Sequence, residues 1–97
     1  MSKIKLIKII PSTKKNKKYT AFFRIDKKIK IVHFGGKGFS DYTIHKDPER
    51  KERYLTRHRK NENWKDPTTA GALSRWVLWN LPSFRESVKD YKRRFKL

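Results

Sequence analysis

The chain has 97 residues, of which 27 are Lys or Arg and 9 are Asp or Glu, so its formal net charge is +18 at pH 7. A chain this short predicts a single domain, 1–97; it has no cysteine for disulfides or thiolate metal sites, and no apolar run long enough for membrane insertion. Its three Trp, four Tyr and six Phe favour a folded chain, and its charge predicts a polyanionic partner, because the cations repel one another unless anions relieve them.

Residues 1–34 are predicted to form a basic three-stranded antiparallel meander. Strand-like apolar segments begin at Ile4, Tyr19 and Ile29, and they are separated by a lysine-rich loop and by a tight turn at Asp26-Lys27. Two alternating sets are predicted to lie on the packed face: Tyr19, Ala21, Phe23 and Ile25 in the second segment, and Ile29, Ile31 and His33 in the third. In the first segment the apolar residues change parity, which predicts a β-bulge.

Residues 35–46 form a glycine-rich crossover into a helical part, 47–97. Asp47-Pro48 is a strong helix start that predicts a helix to about Asn61, and Asp66-Pro67 repeats the signal ahead of a helix over 70–80. Ser83 and Glu86 form a capping box ahead of a third helix. The fold class is therefore α+β, a three-stranded meander followed by three short helices. The predicted core is Phe23, Ile31, Leu55, Leu73, Val77, Val88 and Tyr91.

Two groups of cations are the candidate nucleic-acid contacts. Lys14, Lys15, Lys17 and Lys18 form a loop, while Arg50, Arg53, Arg57 and Lys60 recur at helical spacing as one stripe. Lys28 and Lys30 join them if the meander places all of them on one face. Lys and Arg position phosphates without reading bases, so binding largely without sequence preference is expected. The alternative for both groups is an ordinary solvated surface.

Other reactive or aromatic residues favour structural roles. Trp64, Trp76 and Trp79 are predicted to pack in the core rather than to stack on bases, because a chain poor in Leu and Val needs its aromatics for burial. Ser40, Asp41, His45 and Asp47 are close in sequence, but catalytic groups normally converge from separate elements. We therefore predict that the chain is not an enzyme, and the three histidines lie on different elements, so no metal or cofactor is predicted.

The stretch from His33 to Leu81 carries a resemblance. It contains the string Ser40-Asp41-Tyr42-Thr43-Ile44-His45-Lys46-Asp47, then Trp64, then Asp66-Pro67. It resembles an uncharacterised family of small basic proteins encoded by nucleocytoplasmic large DNA viruses. Within it, the predicted structural motif is Ser40, Asp41, Tyr42, His45, Asp47, Trp64 and Asp66. The resemblance implies a viral origin and brings no catalytic residues.

The expected function is that of a virion structural protein that binds DNA or RNA, located in the virion and in the host cytoplasm or nucleus during infection. One alternative is a minor capsid, or cement, protein that acts through contacts with other virion proteins. Such an interface would use exposed apolar anchors as well as charge, whereas genome packing needs charge and little else. A second alternative is a host-directed factor that binds RNA or ribosomes.

Overall fold

The computed structural model describes residues 3–97, so residues 1 and 2 of the predicted domain lie outside the described part. Strands β1 (Ile4–Pro11), β2 (Lys17–Ile25) and β3 (Lys28–Gly36) form an antiparallel sheet in the order β1-β2-β3. Four helices follow: α1 (Tyr42–His45), α2 (Pro48–His58), α3 (Ala70–Leu73), which continues into a π-helical segment (Ser74–Leu78), and α4 (Phe84–Phe95). The predicted α+β class is confirmed, and α1 is an additional helical turn inside the predicted crossover. No helix of residues 3–97 is long and apolar enough to cross a membrane.

The face of β3 that packs against the helices is the opposite of the one predicted. Phe23 is fully buried, as expected, but it pairs with Lys30 and not with an isoleucine. Lys28, Lys30, Val32 and Phe34 therefore share its face, and Ile31 lies on the outer face with 53% of its surface exposed. The prediction that Ile31 belongs to the core is wrong. Both faces of β3 carry apolar residues, so the two-residue turn at Asp26-Lys27 sets the register and the alternation does not.

The predicted bulge in β1 is confirmed. The register shifts between Leu6 and Lys8, so that Leu6 faces Phe23 and Ile9 faces Ala21 on the same side of the sheet. Ile7 is the extra residue and stays half exposed. The bulge thus lets both apolar parities of β1 contribute to the core.

The core lies between the sheet and the C-terminal helices. Phe23 and Phe34 pack against Leu73, Val77 and Tyr91, all of them at most 1% exposed. The Tyr91 hydroxyl donates a hydrogen bond to the Pro67 carbonyl, which ties α4 to the segment ahead of α3. The predicted core residues Phe23, Leu55, Leu73, Val77 and Tyr91 are buried, and Val88 packs at the core's edge.

Two of the three predicted helix starts are found where the sequence places them. The Asp47 side chain accepts from the Glu49 N–H at 3.0 Å, and the Ser83 hydroxyl accepts from the Glu86 N–H at 3.2 Å. The third start is different, because Asp66 accepts from both Thr68 N and Thr68 Oγ1 within a preceding turn. Thr69 is the residue that caps α3.

Candidate nucleic-acid interface

A cleft of about 620 Å³ opens between the sheet and the helices, at the end of the hairpin where β2 begins and β3 ends. The crossover, α2 and the α3 helix with its π-helical continuation close its other sides. Its volume falls in the usual range of ligand clefts. Four cations, Lys17, Lys18, Arg50 and Arg57, and four aromatic residues, Phe34, Phe39, Tyr54 and Trp79, line it.

The floor of the cleft consists of stacked aromatic rings. The Tyr54 and Trp79 rings stack with centroids 4.2 Å apart and planes 3° from parallel, and the His58 ring stacks against Tyr54 at 4.2 Å. Burial raises the pKa of the Tyr54 hydroxyl, so this group stays protonated at neutral pH. The cleft also contains two carboxylates, and both are held by protein groups: Asp41 pairs with Lys18, and Glu62 lies 3.1 Å from His58 Nδ1 and accepts from the Trp64 indole N–H at 2.9 Å.

Lys18 has a structural role, because its charge is paired inside the protein. Its Nζ lies 2.6 Å from Oδ2 of Asp41, whose side chain is 3% exposed and also caps α1 by accepting from the Thr43 N–H at 2.9 Å. This pair joins β2 to the crossover. Lys18 is therefore not part of the interface, although it is one of the loop lysines that were predicted to contact nucleic acid.

The remaining cations of the cleft come from two distant parts of the chain. Arg50 and Arg57 are two turns apart on α2, and Lys17 begins β2 opposite Gly36. The loop that carries Lys14 and Lys15 lies beside the crossover, because the Lys37 N–H donates to the Asn16 carbonyl at 3.0 Å. Arg53 and Lys60 are exposed on and just after α2. We call this set the cleft-side basic surface: Lys14, Lys15, Lys17, Arg50, Arg53, Arg57 and Lys60.

Lys28 and Lys30 do not belong to that surface. They lie near the start of β3, and Gly36 at its other end is about 26 Å from Lys28 and about 20 Å from Lys30 at the rise of a β-strand. Lys30 Nζ lies 3.2 Å from Thr68 Oγ1 and so approaches the turn ahead of α3. The structure therefore separates these two lysines from the other predicted contacts.

The positive charge of the chain is largely uncompensated within residues 3–97. Of the 27 Lys and Arg residues, four form ion pairs with carboxylates in this part: Lys18, Lys89, Arg93 and Arg94. Several acids serve internal structure instead, as Asp47 and Asp66 do by capping backbone N–H groups. The cations of the cleft-side basic surface are therefore available to an external anion.

The three tryptophans are partly buried, and Trp76 and Trp79 pack against the core, as the sequence predicts. Trp79 stacks on Tyr54, and Trp76 lies between the guanidinium groups of Arg75 and Arg94, which are 4.1 and 3.9 Å from its ring centroid. The Trp76 indole N–H donates to the Trp64 carbonyl at 3.1 Å. Of the three, Trp79 lines the cleft, where Tyr54 covers one face of its ring.

The aromatic residue that the sequence analysis missed is Phe39. It lines the cleft and is 74% exposed, the largest exposure among the large hydrophobic side chains of residues 3–97. Its position directly after the glycine-rich stretch 35–38, without an apolar residue at strand spacing on either side, is the signal that could have marked it.

His45 is held in one tautomer below the floor of the cleft. Its Nδ1 accepts from the Asp47 N–H at 2.9 Å, so the neutral ring carries its proton on Nε2, which is buried and has no hydrogen-bond partner in residues 3–97. Burial, followed by the nearby Arg50 charge, lowers the pKa of His45 below its ordinary value of 6.5. The folded protein therefore resists protonation of this ring.

This lowered pKa predicts a loss of stability in acid. Below pH 6.5 the unfolded chain binds a proton that folded His45 does not, so the free energy of unfolding should decrease as pH falls from 6.5. Urea unfolding at pH 7.5 and 5.5 would measure the decrease. His45→Asn, which removes the titration, should show a smaller decrease than the natural chain, and an equal decrease in both would contradict the assignment.

The outer face of the sheet is a second exposed surface. Ile7, Ile29 and Ile31 are each at least 50% exposed, and Lys8 Nζ lies 4.9 Å from the centroid of the Phe22 ring. Arg24 lies on the same face, because it pairs with Lys5 and Ile29. This face thus combines apolar side chains with cations, on the side of the sheet that the helices leave uncovered.

Comparison with known proteins gives one match. The sequence profile of a family of unknown function (DUF5754) matches residues 7–58, which is more than half of the chain and extends from β1 to the end of α2. The matched segment includes the cations of the cleft and Phe39. No curated protein and no solved structure matches the chain.

Proposed function

The chain belongs to this family of unknown function (DUF5754), and we propose that it is a non-enzymatic protein that binds nucleic acid through the cleft-side basic surface. The observation that carries the proposal is the meeting of Lys17 from β2 with Arg50 and Arg57 from α2 around one cleft, none of them paired with a carboxylate in residues 3–97. Such cations bind phosphates and release the counter-ions condensed on a nucleic acid.

The proposed binding is largely independent of sequence. Lys and Arg side chains that contact phosphates fix the position of a protein on its nucleic acid but carry no information about the bases. With a net charge of +18, the chain should bind DNA and RNA of many sequences, and affinity should fall steeply with salt. The cellular partner of this surface is therefore a polynucleotide, whichever sequence it carries.

The resemblance to a family of viral proteins suggests where this binding would take place. A protein with such a surface would coat or condense a genome as a virion structural component, and it would be found in the virion and in the host cytoplasm or nucleus during infection. Neutralising phosphate repulsion is what a packaged genome requires, and uncompensated lysines and arginines supply it.

Replacing the three unpaired cleft cations tests the proposed surface. In a Lys17→Gln, Arg50→Gln, Arg57→Gln variant, the slope of log affinity against log salt for duplex DNA should fall by about 2 to 3, because each lost phosphate contact removes about 0.9. Fluorescence anisotropy across a salt series would measure both slopes.

The matched control removes the same charge elsewhere. Lys5, Lys27 and Lys92 are exposed and lie on the outer face of β1, in the hairpin turn and on α4. Changing all three to Gln should lower the slope by less than half as much. If both variants lose the same amount, the cleft is no more than a part of a uniformly basic surface, and the proposed interface is wrong.

A second candidate function is a minor capsid protein that binds other virion proteins. The outer face of the sheet favours it, because its half-exposed isoleucines are the apolar anchors that a protein interface uses. Affinity for nucleic acid that no cleft substitution reduces would favour this candidate. A clear preference for RNA over DNA would instead favour the host-directed RNA- or ribosome-binding factor.

A further inference from the structure

We propose that the cleft binds an unpaired base of a single-stranded nucleic acid, stacked on Phe39, while the neighbouring phosphates contact Arg50 and Arg57. The inference rests on the proposed function and narrows it to one form of nucleic acid. It depends on the position of the Phe39 ring, which lines the same cleft as Lys17, Arg50 and Arg57.

The backbone of the crossover holds the Phe39 ring at the cleft mouth. The Phe39 N–H donates to the Gly36 carbonyl at 3.2 Å, in a turn that passes through Gly38 at φ 91°, a conformation that favours glycine. The ring lies directly against Gly36, where a Cβ atom would be 2.8 Å from Phe39 Cδ2. Because Gly36 has no side chain, the ring is supported from one side and open on the other.

The exposure of Phe39 is consistent with a stacking platform. A phenylalanine that is 74% exposed contributes little to the core, and its neighbours around the mouth include Lys17 and Gly36 as well as polar Ser40. Base-stacking surfaces of single-strand-binding proteins have the same two parts, an aromatic ring with a free face and cations that follow the phosphates. Both parts line this cleft.

The geometry favours an unpaired base over a duplex. In a duplex both faces of each base are covered by its neighbours, so an aromatic side chain cannot stack unless the base is unpaired or extruded. The volume of about 620 Å³ fits one or two nucleotides of a flexible strand far better than a rigid double helix. Phe39 should therefore matter for single strands and be indifferent to duplexes.

Substitutions of Phe39 test this difference. Phe39→Ala should lower the affinity for a 12-nucleotide oligo(dT) about 5- to 150-fold, the range that corresponds to the loss of one stacked base. The affinity of Phe39→Ala for a 12-base-pair duplex should stay within twofold of the affinity of the natural chain. The slope of log affinity against log salt should not change, because no charge is removed. Anisotropy titrations of both labelled probes would measure these values.

Two further variants separate stacking from a general disturbance. Phe39→Trp should keep the affinity for oligo(dT), and its fluorescence should be quenched on binding more than that of the three native tryptophans. Gly36→Ala keeps the ring but forces it to move, so it should also weaken binding to oligo(dT). The control is Ile44→Ala, an exposed apolar residue of α1 outside the cleft lining, which should leave both affinities unchanged.

The outcomes distinguish this inference from the proposed function. If Phe39→Ala leaves binding to oligo(dT) unchanged while the triple cleft variant loses it, the stacking inference is wrong and the basic surface stands. Equal losses on single strand and duplex in Phe39→Ala would also overturn stacking. If the natural chain binds neither probe better than an unrelated basic protein does, the proposed function and this inference both fail.

Discussion

Replacing Asp41 with alanine is expected to lower the free energy of unfolding by about 3–5 kcal/mol, the usual effect of removing one partner from a buried ion pair. Asp41 is 2% exposed and receives the Lys18 ammonium at 2.6 Å. The substitution leaves that ammonium, whose side chain is 15% exposed, without its anion, and it also removes the N-cap of α1. Urea unfolding at pH 7 would measure the loss.

Two variants give this prediction its controls. Asp47→Ala removes the exposed cap of α2 and should cost only about 1 kcal/mol, since no buried charge is left unpaired. Asp41→Ala combined with Lys18→Met removes both charges, and it should be more stable than Asp41→Ala alone. The Lys18→Met single variant completes the cycle: if the effects of Asp41→Ala and Lys18→Met simply add up to that of the double variant, Lys18 and Asp41 are not coupled in the folded protein.

The second large loss of stability is expected from substitution of Phe23, and substitution of Ile31 should cause no comparable loss. Phe23→Ala should destabilise the protein by about 3–5 kcal/mol, because the fully buried ring leaves a cavity under the helices. Ile31→Ala should cost less than about 1 kcal/mol, because a side chain that is 53% exposed loses little burial.

The comparison of these two variants also tests the register of β3. Phe23 pairs with Lys30, which places Ile31 on the outer face. If Ile31→Ala destabilised the protein as much as Phe23→Ala does, Ile31 would have to be a core residue, and this pairing would be wrong. Both variants can be compared by urea unfolding monitored through tryptophan fluorescence, because the three tryptophans pack in the helical part.

Part of the candidate interface could be predicted from the sequence. Arg50 and Arg57 are seven residues apart, and helical periodicity alone places them on one side of α2. Their meeting with Lys17 could not be predicted, because it depends on how α2 packs across the end of the hairpin. The same long-range packing takes Lys18 out of the surface by placing Asp41 beside it.

The exposure of Phe39 and the orientation of β3 also depend on packing that local sequence patterns do not predict. The exposure of Phe39 follows from its local turn onto Gly36 and from the absence of helical cover at the cleft mouth, and the second of these is set by tertiary packing. The face of β3 was predicted wrongly because alternation identifies two faces of a strand without saying which one the helices cover. In β1, by contrast, the change of apolar parity within the strand itself marked the bulge correctly.

The sequence by itself determined the α+β class, the meander, the helix starts at Asp47 and Ser83, and the net charge of +18. These properties depend on hydrogen bonds and side-chain spacing within a few residues, or on composition alone. The tertiary structure decided which cations share a cleft, which lysine is neutralised and which aromatic ring stays free. The first two outcomes depend on contacts between residues more than twenty positions apart, such as Lys18 with Asp41, and the third depends on the packing that leaves the cleft mouth uncovered. None of the three is set until the sheet and the helices pack together.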